Sequence, residues 1–183
     1  LDMVKKRVNL QNLQRSLFTA VRYGMATKVN FIIGFPFETQ RDMLATILFV
    51  WKLALKRVDD CNIATFTPYP GSELYRELER EGTLGAISDD YFAGLMTQFD
   101  FTLPRTVCRH VGPVEIMLYR FFGMAVFYLL SYLRQPSRLV RLLQIIGNDR
   151  AFEARSLFEQ RIYDFKVRLK QRGLHVAAQR ADQ

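Results

Sequence analysis

Cysteine and histidine are scarce in this sequence, which contains two of each among its 183 residues. Cys61 and Cys108 stand 47 positions apart, and the two histidines, His110 and His175, form no spaced pair. A metal site needs several closely spaced thiolate or imidazole ligands, so we do not expect this chain to hold one by itself. Two distant cysteines are typical of reduced thiols in a cytoplasmic protein, and a disulfide between them is the alternative.

A secretion signal is also lacking, because the amino terminus has no apolar segment with a cleavage site. The first residue is Leu1 rather than methionine, and we expect the sequence to begin inside a longer protein. Hydrophobic residues make up 49% of the chain and charged residues 24%, which is typical of a sequence that folds. The length suffices for one core, or for one core with an appended helical part.

Acidic residues are outnumbered, with 18 against 26 lysines and arginines. The excess is concentrated in residues 134–183, which contain eleven basic and five acidic side chains. A basic helical tail can attract nucleic acid or anionic lipid, or it can be a solvated helix face. Single-strand binding uses aromatic side chains interleaved with basic ones, and no such stripe is present, so we expect no nucleic-acid partner.

Residues 1–82 alternate between helical and strand patterns. Short apolar runs at residues 29–33 and 61–67 predict two strands. Thr39 and Ser72 follow these runs at positions where a side-chain oxygen can cap the next helix. Strands that alternate with helices in units of about thirty residues predict an α/β fold with parallel strands and right-handed crossovers.

The pattern changes after this α/β part. Residues 83–112 are expected to form a connector with one short helix that opens near Ser88. Residues 113–183 are expected to form a helical carboxyl-terminal extension, whose last helix is capped by Asn148 or Asp149. The sequence thus predicts three consecutive parts.

One stretch of the helical part is almost free of charge. Between Val114 and Leu133, only Glu115 and Arg120 are charged. A membrane span needs about 20 mostly apolar residues, whereas shorter runs are more often buried helices. The stretch therefore predicts a buried or interface helix, and contact with a membrane surface and a true span are the alternatives.

Unusual loops follow both predicted strands, "GFPFET" at residues 34–39 and "TPYPGS" at residues 67–72. Functional loops lie at the carboxyl ends of parallel strands, and loops after consecutive strands should be neighbours. Gly34 lacks a Cβ atom and can approach a ligand closely, and Pro36 holds its loop rigid. Glu38 can accept a hydrogen bond from a ligand, or it can cap backbone N–H groups.

The second loop offers carbonyl groups from Pro68 to Gly71 and the ring of Tyr69. These groups suit a flat, hydrogen-bonding ligand such as a purine. The alternative interpretation is that both loops are only well-made turns between a strand and a helix, and the spacing alone does not choose between the two.

Taken together, the loop sequences resemble a known family. "FIIGFPFET", followed about 30 residues later by "TFTPYPGSELYREL", is similar to the second half of the barrel of radical S-adenosylmethionine enzymes. The similarity covers roughly residues 9–82, and it is greatest to the cobalamin-dependent branch that includes anaerobic magnesium-protoporphyrin ester cyclase-like proteins. "FFGMAVFYLLSYLRQPSRLVRLL" more loosely resembles the helical extension of that branch. The resemblance implies a partial (β/α) barrel fragment followed by this extension.

The resemblance also implies a chemistry. In that family a [4Fe-4S] cluster cleaves S-adenosylmethionine reductively, and the resulting radical abstracts hydrogen from a substrate; the branch adds cobalamin in an upstream domain. Ile33, Gly34 and Pro36 would line the adenosine end of S-adenosylmethionine. Pro68 and Tyr69 would offer backbone and ring to the adenine. No catalytic residue or metal ligand is implied within this chain.

Two departures from the family pattern matter. The CxxxCxxC triplet that holds the cluster is absent, as are the strands that would carry it, so catalysis is expected to need the missing amino-terminal half of the barrel. Phe37 stands where the family usually has glycine. Its ring can narrow the pocket, or it can turn outward and pack against Phe35 or the next helix. Glu38 would steady this loop or contact the ribose.

These observations lead to one main hypothesis and two alternatives. The main one is the carboxyl-terminal part of a radical S-adenosylmethionine enzyme, whose apolar extension is compatible with a large apolar substrate such as a tetrapyrrole or a lipid. The first alternative is a non-catalytic fragment that binds a partner through an exposed strand edge. The second is a peripheral membrane protein that uses residues 114–133 and the arginine-rich tail.

Overall fold

The structure, a computed structural model, describes residues 9–84, 106–147, 156 and 158–169. In chain order, its elements are α1 (Leu10–Arg22), β1 (Lys28–Ile33), α2 (Gln40–Leu55), β2 (Asp60–Thr65), α3 (Glu73–Arg80), α4 (Pro113–Arg134) and α5 (Pro136–Gly147). Residues 158–169 are also helical. The chain is therefore α/β with mostly helices. The short helix expected near Ser88 and the cap expected at Asn148 or Asp149 lie outside the described residues.

β1 and β2 form a two-stranded parallel sheet, which confirms the predicted strand direction. The register pairs Lys28 with Asp60 and Ile33 with Thr65. β2 ends at Thr65, two residues before the predicted end at residue 67. The last hydrogen bond between the two strands runs from Phe66 N to Ile33 O (2.7 Å). The sheet is consistent with a partial α/β fold, and the barrel itself stays a prediction.

The starts of α2 and α3 are fixed by the predicted capping residues. Thr39 Oγ1 accepts from Asp42 N (3.4 Å), and the Asp42 carboxylate accepts from Thr39 N (2.9 Å), which completes a capping box. Ser72 Oγ accepts from Tyr75 N (3.2 Å) at the start of α3. These local bonds place each helix directly after one of the two unusual loops.

The outer edge of β2 is covered by side chains. Even-numbered residues of β2 pair with β1, so its odd-numbered backbone groups face away from β1. Arg120 Nε of α4 donates to Ile63 O (3.0 Å), and Arg138 Nη2 of α5 donates to Asp59 O (2.7 Å). The two arginines therefore occupy hydrogen-bonding positions that a neighbouring strand would otherwise use.

The outer edge of β1 is different. Its outward-facing backbone groups belong to Lys28, Asn30 and Ile32, and none of them makes a hydrogen bond within the part of the chain that the structure describes. The side chains of the same three residues are exposed. The exposed strand edge considered in the partner-binding hypothesis is thus found at β1 and not at β2.

α4 packs against α2 and β2 in the hydrophobic core. A Cβ atom at Gly123 would lie 2.6 Å from Ile47 Cδ1 and 2.7 Å from Ile63 Cδ1, so the glycine permits this close approach. Trp51 Nε1 of α2 donates to Gly123 O (3.2 Å), and Phe127 is fully buried one turn later. By length and composition alone, α4 is also the one helix among the described residues that could cross a membrane.

Candidate cofactor site

The loops after β1 and β2 meet at the carboxyl end of the sheet, as predicted. The Phe35 ring of the first loop stacks on the ring of Phe66, which lies between β2 and the second loop, with centroids 4.4 Å apart. Phe37 stacks on Phe35, with centroids 5.6 Å apart and an interplanar angle of 18°. Of the arrangements considered for Phe37, the structure has the one that packs against Phe35. Phe35, Phe37 and Phe66 together form what we call the aromatic stack.

The Glu38 carboxylate holds the first loop in place. Its Oε2 atom accepts from Gly34 N (2.6 Å) and from Phe35 N (3.1 Å), and Glu38 N donates to Phe35 O (3.1 Å). Of the two roles considered for Glu38, the structure has the capping of backbone N–H groups. Burial raises the pKa of this carboxyl, and the two backbone hydrogen bonds oppose the increase.

Replacing Glu38 with glutamine should change how stability depends on pH. Because the pKa of Glu38 is raised in the folded chain, its contribution to the free energy of unfolding is present at acidic pH and is lost as the pH rises through that raised pKa. Glutamine keeps an oxygen for the loop and does not titrate. In urea titrations, the stability of Glu38→Gln relative to the parent chain should therefore increase as the pH rises above about 4.

Asp42→Asn is the matched control, with the opposite sign. Hydrogen bonds from the Thr39 side chain and backbone lower the pKa of Asp42, so its contribution is present at neutral pH and is lost as the pH falls through that lowered pKa. The relative stability of Asp42→Asn should decrease as the pH rises to about 4 and stay level above it. The same pH profile in both variants would contradict these assignments.

Gly34 has a left-handed backbone conformation, with a φ of +90°. A Cβ atom there would lie 3.3 Å from Ile116 Cδ1, 3.4 Å from Thr65 Cγ2 and 3.8 Å from Thr106 Oγ1. The space that the glycine leaves is therefore filled by β2, by α4 and by the segment before α4. The close approach to a ligand predicted for Gly34 concerns its backbone and stays a prediction.

The segment before α4 covers the first loop. Arg109 N donates to Pro36 O (3.3 Å), and Cys108 Sγ donates to Glu38 O (3.4 Å). Pro36 is buried, whereas Glu38 is half-buried. The last residues of the predicted connector thus help to hold the loop, a role that the sequence did not reveal because these residues are some 70 positions away from it.

Ile33 and Ile32 lie on opposite faces of the sheet, because side chains alternate along a strand. Ile33 is fully buried in the core, whereas Ile32 is 50% exposed on the face away from that core. Any contact of Ile33 with adenosine would have to come from its backbone. Sequence reasoning missed Ile32, because both residues belong to one uninterrupted apolar run and only the packing decides which of them faces the core.

In the second loop, Pro68 is buried and Tyr69 is 57% exposed. The Tyr69 carbonyl accepts from Ser72 N (3.1 Å) and from Ser72 Oγ (2.8 Å). The expectation that this loop presents free carbonyl groups is therefore wrong for Tyr69, since the turn into α3 uses that oxygen. The exposed Tyr69 ring is accessible, as the prediction for its side chain requires.

Thr65 was not predicted as a site residue. It is almost fully buried at the end of β2, and within the described residues its Oγ1 atom has no hydrogen-bond partner. An unsatisfied buried hydroxyl costs about 1–3 kcal/mol, and a hydrogen bond from or to a ligand would remove this cost. The sequence gives little sign of it, because threonine is common in strands.

The described residues contain no group of three or more histidine, cysteine, aspartate or glutamate side chains that could hold a metal ion. Cys61 and Cys108 are both free thiols in the structure. Cys61 lies in the core, where burial raises the pKa of its thiol. With only two cysteines in the sequence, this chain does not fit a cluster that needs three cysteine ligands.

Comparisons with known proteins identify partial relatives. No protein-family model and no solved structure matches the chain. A stretch of 75 residues is 36% identical to an uncharacterized methyltransferase from Pyrococcus horikoshii, and it covers 41% of this chain and 16% of that protein. A stretch of 79 residues is 33% identical to the anaerobic magnesium-protoporphyrin IX monomethyl ester cyclase from Rubrivivax gelatinosus, and it covers 43% of this chain and 14% of that protein.

The matched stretches thus span less than a fifth of either relative. An anaerobic magnesium-protoporphyrin ester cyclase is of the kind that the two loop sequences resemble. Over about two fifths of its length, this chain is therefore distantly related to an uncharacterized methyltransferase and to an anaerobic magnesium-protoporphyrin IX monomethyl ester cyclase.

Proposed function

We propose that this chain is the carboxyl-terminal part of a radical S-adenosylmethionine enzyme and that its two loops bind the adenosine end of S-adenosylmethionine. The observation that carries the proposal is the meeting of the two loop sequences at one end of a parallel strand pair. The partial relatives, a methyltransferase and a cyclase, support it. The proposed reaction modifies or methylates a large apolar substrate, such as a tetrapyrrole or a lipid, in the cytoplasm.

The groups at this end of the sheet suit a nucleoside. The aromatic stack offers flat apolar rings on which a purine can stack. Glu38 keeps the Gly34 backbone in one conformation before the ligand arrives. When bound, S-adenosylmethionine supplies a methyl group or, after reductive cleavage, a 5′-deoxyadenosyl group; this chain would bind and orient it.

The [4Fe-4S] cluster, and cobalamin if the enzyme uses it, would be held by an amino-terminal part of the protein outside this chain. The outward-facing backbone groups of β1 are the place where a preceding parallel strand would pair. The missing half of the barrel is therefore the partner that we propose for this edge. The reading frame upstream of Leu1 should then encode a CxxxCxxC triplet.

Binding of S-adenosylhomocysteine to the protein that includes the upstream half tests the proposal. Phe66→Ala should weaken this binding by about 1–3 kcal/mol, since it removes a ring on which the purine stacks. Phe165→Ala, which removes an exposed ring from the helical residues 158–169, is the control and should bind as the parent does. Equal affinity in the two variants, measured by calorimetry, would show that the aromatic stack does not hold the ligand.

A further inference from the structure

The outer face of α4 is apolar and exposed along the whole helix. Five large hydrophobic side chains, 43% to 69% exposed, recur at spacings of four and seven residues, which places them on one side of the helix. They are Val114, Leu118, Phe122, Leu129 and Leu133. A continuous exposed apolar patch of this kind marks an interaction surface.

α5, which follows α4 after Gln135, also exposes apolar side chains. Its exposed apolar side chains are 49% to 61% exposed and lie on the side opposite to Arg138 and Ile145, which are buried. They are Leu139, Val140, Leu143 and Ile146. We call the exposed apolar side chains of α4 and α5 the α4–α5 surface.

The exposed charges around the α4–α5 surface are mostly basic, and the acidic exceptions in α2, α4 and α5 are Asp42 and Glu115, in the first turns of α2 and α4. Residues 116–147 contain no aspartate or glutamate, and Arg134 is exposed where α4 ends. α2 packs beside α4, and its neighbouring residues 43–58 also lack acidic side chains while exposing Lys52 and Lys56. Apolar side chains whose charged neighbours in these helices are mostly basic complement an anionic lipid surface, where they can enter the acyl region while the cations contact phosphates.

The packing of α4 opposes a bilayer-spanning position. Its inner face is buried through Ile116, Gly123 and Phe127, and Arg120 on the same face donates to the Ile63 carbonyl. Moving this arginine into hydrocarbon would also cost at least about 2.5 kcal/mol. A surface contact made by the exposed side of α4 would keep these interactions.

The α4–α5 surface also lies away from the edge at which the sheet can continue. α4 and α5 cover β2 through Arg120 and Arg138, whereas the edge without hydrogen bonds among the described residues belongs to β1. Strands added at β1 extend the sheet away from α4. The upstream half of a barrel would therefore leave the α4–α5 surface uncovered.

We propose that the α4–α5 surface docks on an anionic membrane, with its leucines, valines and isoleucine in the outer acyl region and Lys52, Lys56 and Arg134 at the headgroup phosphates. This inference does not rest on the cofactor proposal. It would hold the protein at a lipid surface, beside apolar molecules dissolved there.

Flotation of the whole chain with vesicles tests the proposal. With about one third phosphatidylglycerol in phosphatidylcholine, the bound fraction should be several-fold higher than with phosphatidylcholine alone, and it should fall as salt rises. The double variant Leu129→Glu/Leu143→Glu should lower the partition coefficient by about tenfold or more, because two carboxylates would face the acyl region. Both side chains are exposed, so circular dichroism and the unfolding midpoint should stay those of the parent.

The matched control is Leu10→Glu/Leu13→Glu, which adds the same charges at two exposed leucines of α1. It should bind vesicles as the parent does. Equal binding of both double variants, or absence of binding to anionic vesicles, would overturn the proposal. Sedimentation velocity without lipid gives a further test. If the parent chain forms a dimer that Leu129→Glu/Leu143→Glu dissociates, the proposal is also overturned, since a second copy would then cover the surface.

Discussion

Replacing Arg138 with alanine should lower the free energy of unfolding by about 3–5 kcal/mol. The Arg138 side chain is completely buried, and so is that of Glu159, whose Oε1 atom lies 3.8 Å from Arg138 Nε. Arg138 also donates to Asp59 O (2.7 Å) and to Ser131 Oγ. Alanine would leave the buried Glu159 carboxylate and the Asp59 carbonyl without Arg138.

Two further variants separate the effect of losing the buried charge from the effect of creating a cavity. Arg134→Ala removes an exposed arginine one turn earlier and should change stability by no more than about 0.5 kcal/mol. Arg138→Met/Glu159→Leu removes both charges and fills the space, so it should recover most of the loss. Urea unfolding followed by circular dichroism measures all three. A loss in Arg138→Ala as small as that in Arg134→Ala would contradict the assigned role of the buried pair.

Gly34→Val should lower the free energy of unfolding by about 1–3 kcal/mol, because valine is strained in the left-handed backbone conformation. It should lower it by a further 1–3 kcal/mol, roughly, because the larger side chain overpacks its surroundings. The overpacking arises because the space beside Gly34 is already filled by Ile116 and Thr65. The variant should also pull the loop away from Glu38, whose carboxylate accepts from Gly34 N. Binding of S-adenosylhomocysteine should therefore be lost in Gly34→Val even at temperatures where it stays folded.

Gly71→Val is the matched control for this prediction. Gly71 has nearly the same φ, +89° against +90°, but nothing lies within 4 Å of the position that its Cβ atom would take. Gly71→Val should therefore lower the free energy of unfolding only by the amount that the strained backbone costs. The difference between the two variants in urea unfolding measures the packing of α4 on the first loop, and equal losses would mean that the loop can move aside without cost.

Features that depend on a few neighbouring residues could be predicted from the sequence. Thr39 and Ser72 cap their helices because each bond joins residues three positions apart, and such bonds need no knowledge of the rest of the fold. The meeting of the two loops could also be predicted, because it follows from parallel strands alone. What is confirmed is therefore that the two loops lie together at the carboxyl end of the sheet, whereas the ligand site itself stays a prediction.

Features that depend on distant residues could not be predicted. The space beside Gly34 is filled by Ile116, which is 82 positions later. The burial of Arg138 was not foreseen, since an arginine on a helix is usually solvated and its acceptor at Asp59 belongs to another element. Similarly, the choice between Ile32 and Ile33 depends on where α2 packs, which an apolar run does not encode.

Arg120 and Arg138, which cover the outer edge of β2, determine at which edge further strands can join the sheet. A strand arriving at that side would have to displace two guanidinium groups from their carbonyl acceptors at Ile63 and Asp59. Among the described residues, the outward backbone groups of β1 carry no such side chains. Further strands are therefore expected to join the sheet at β1 and not at β2.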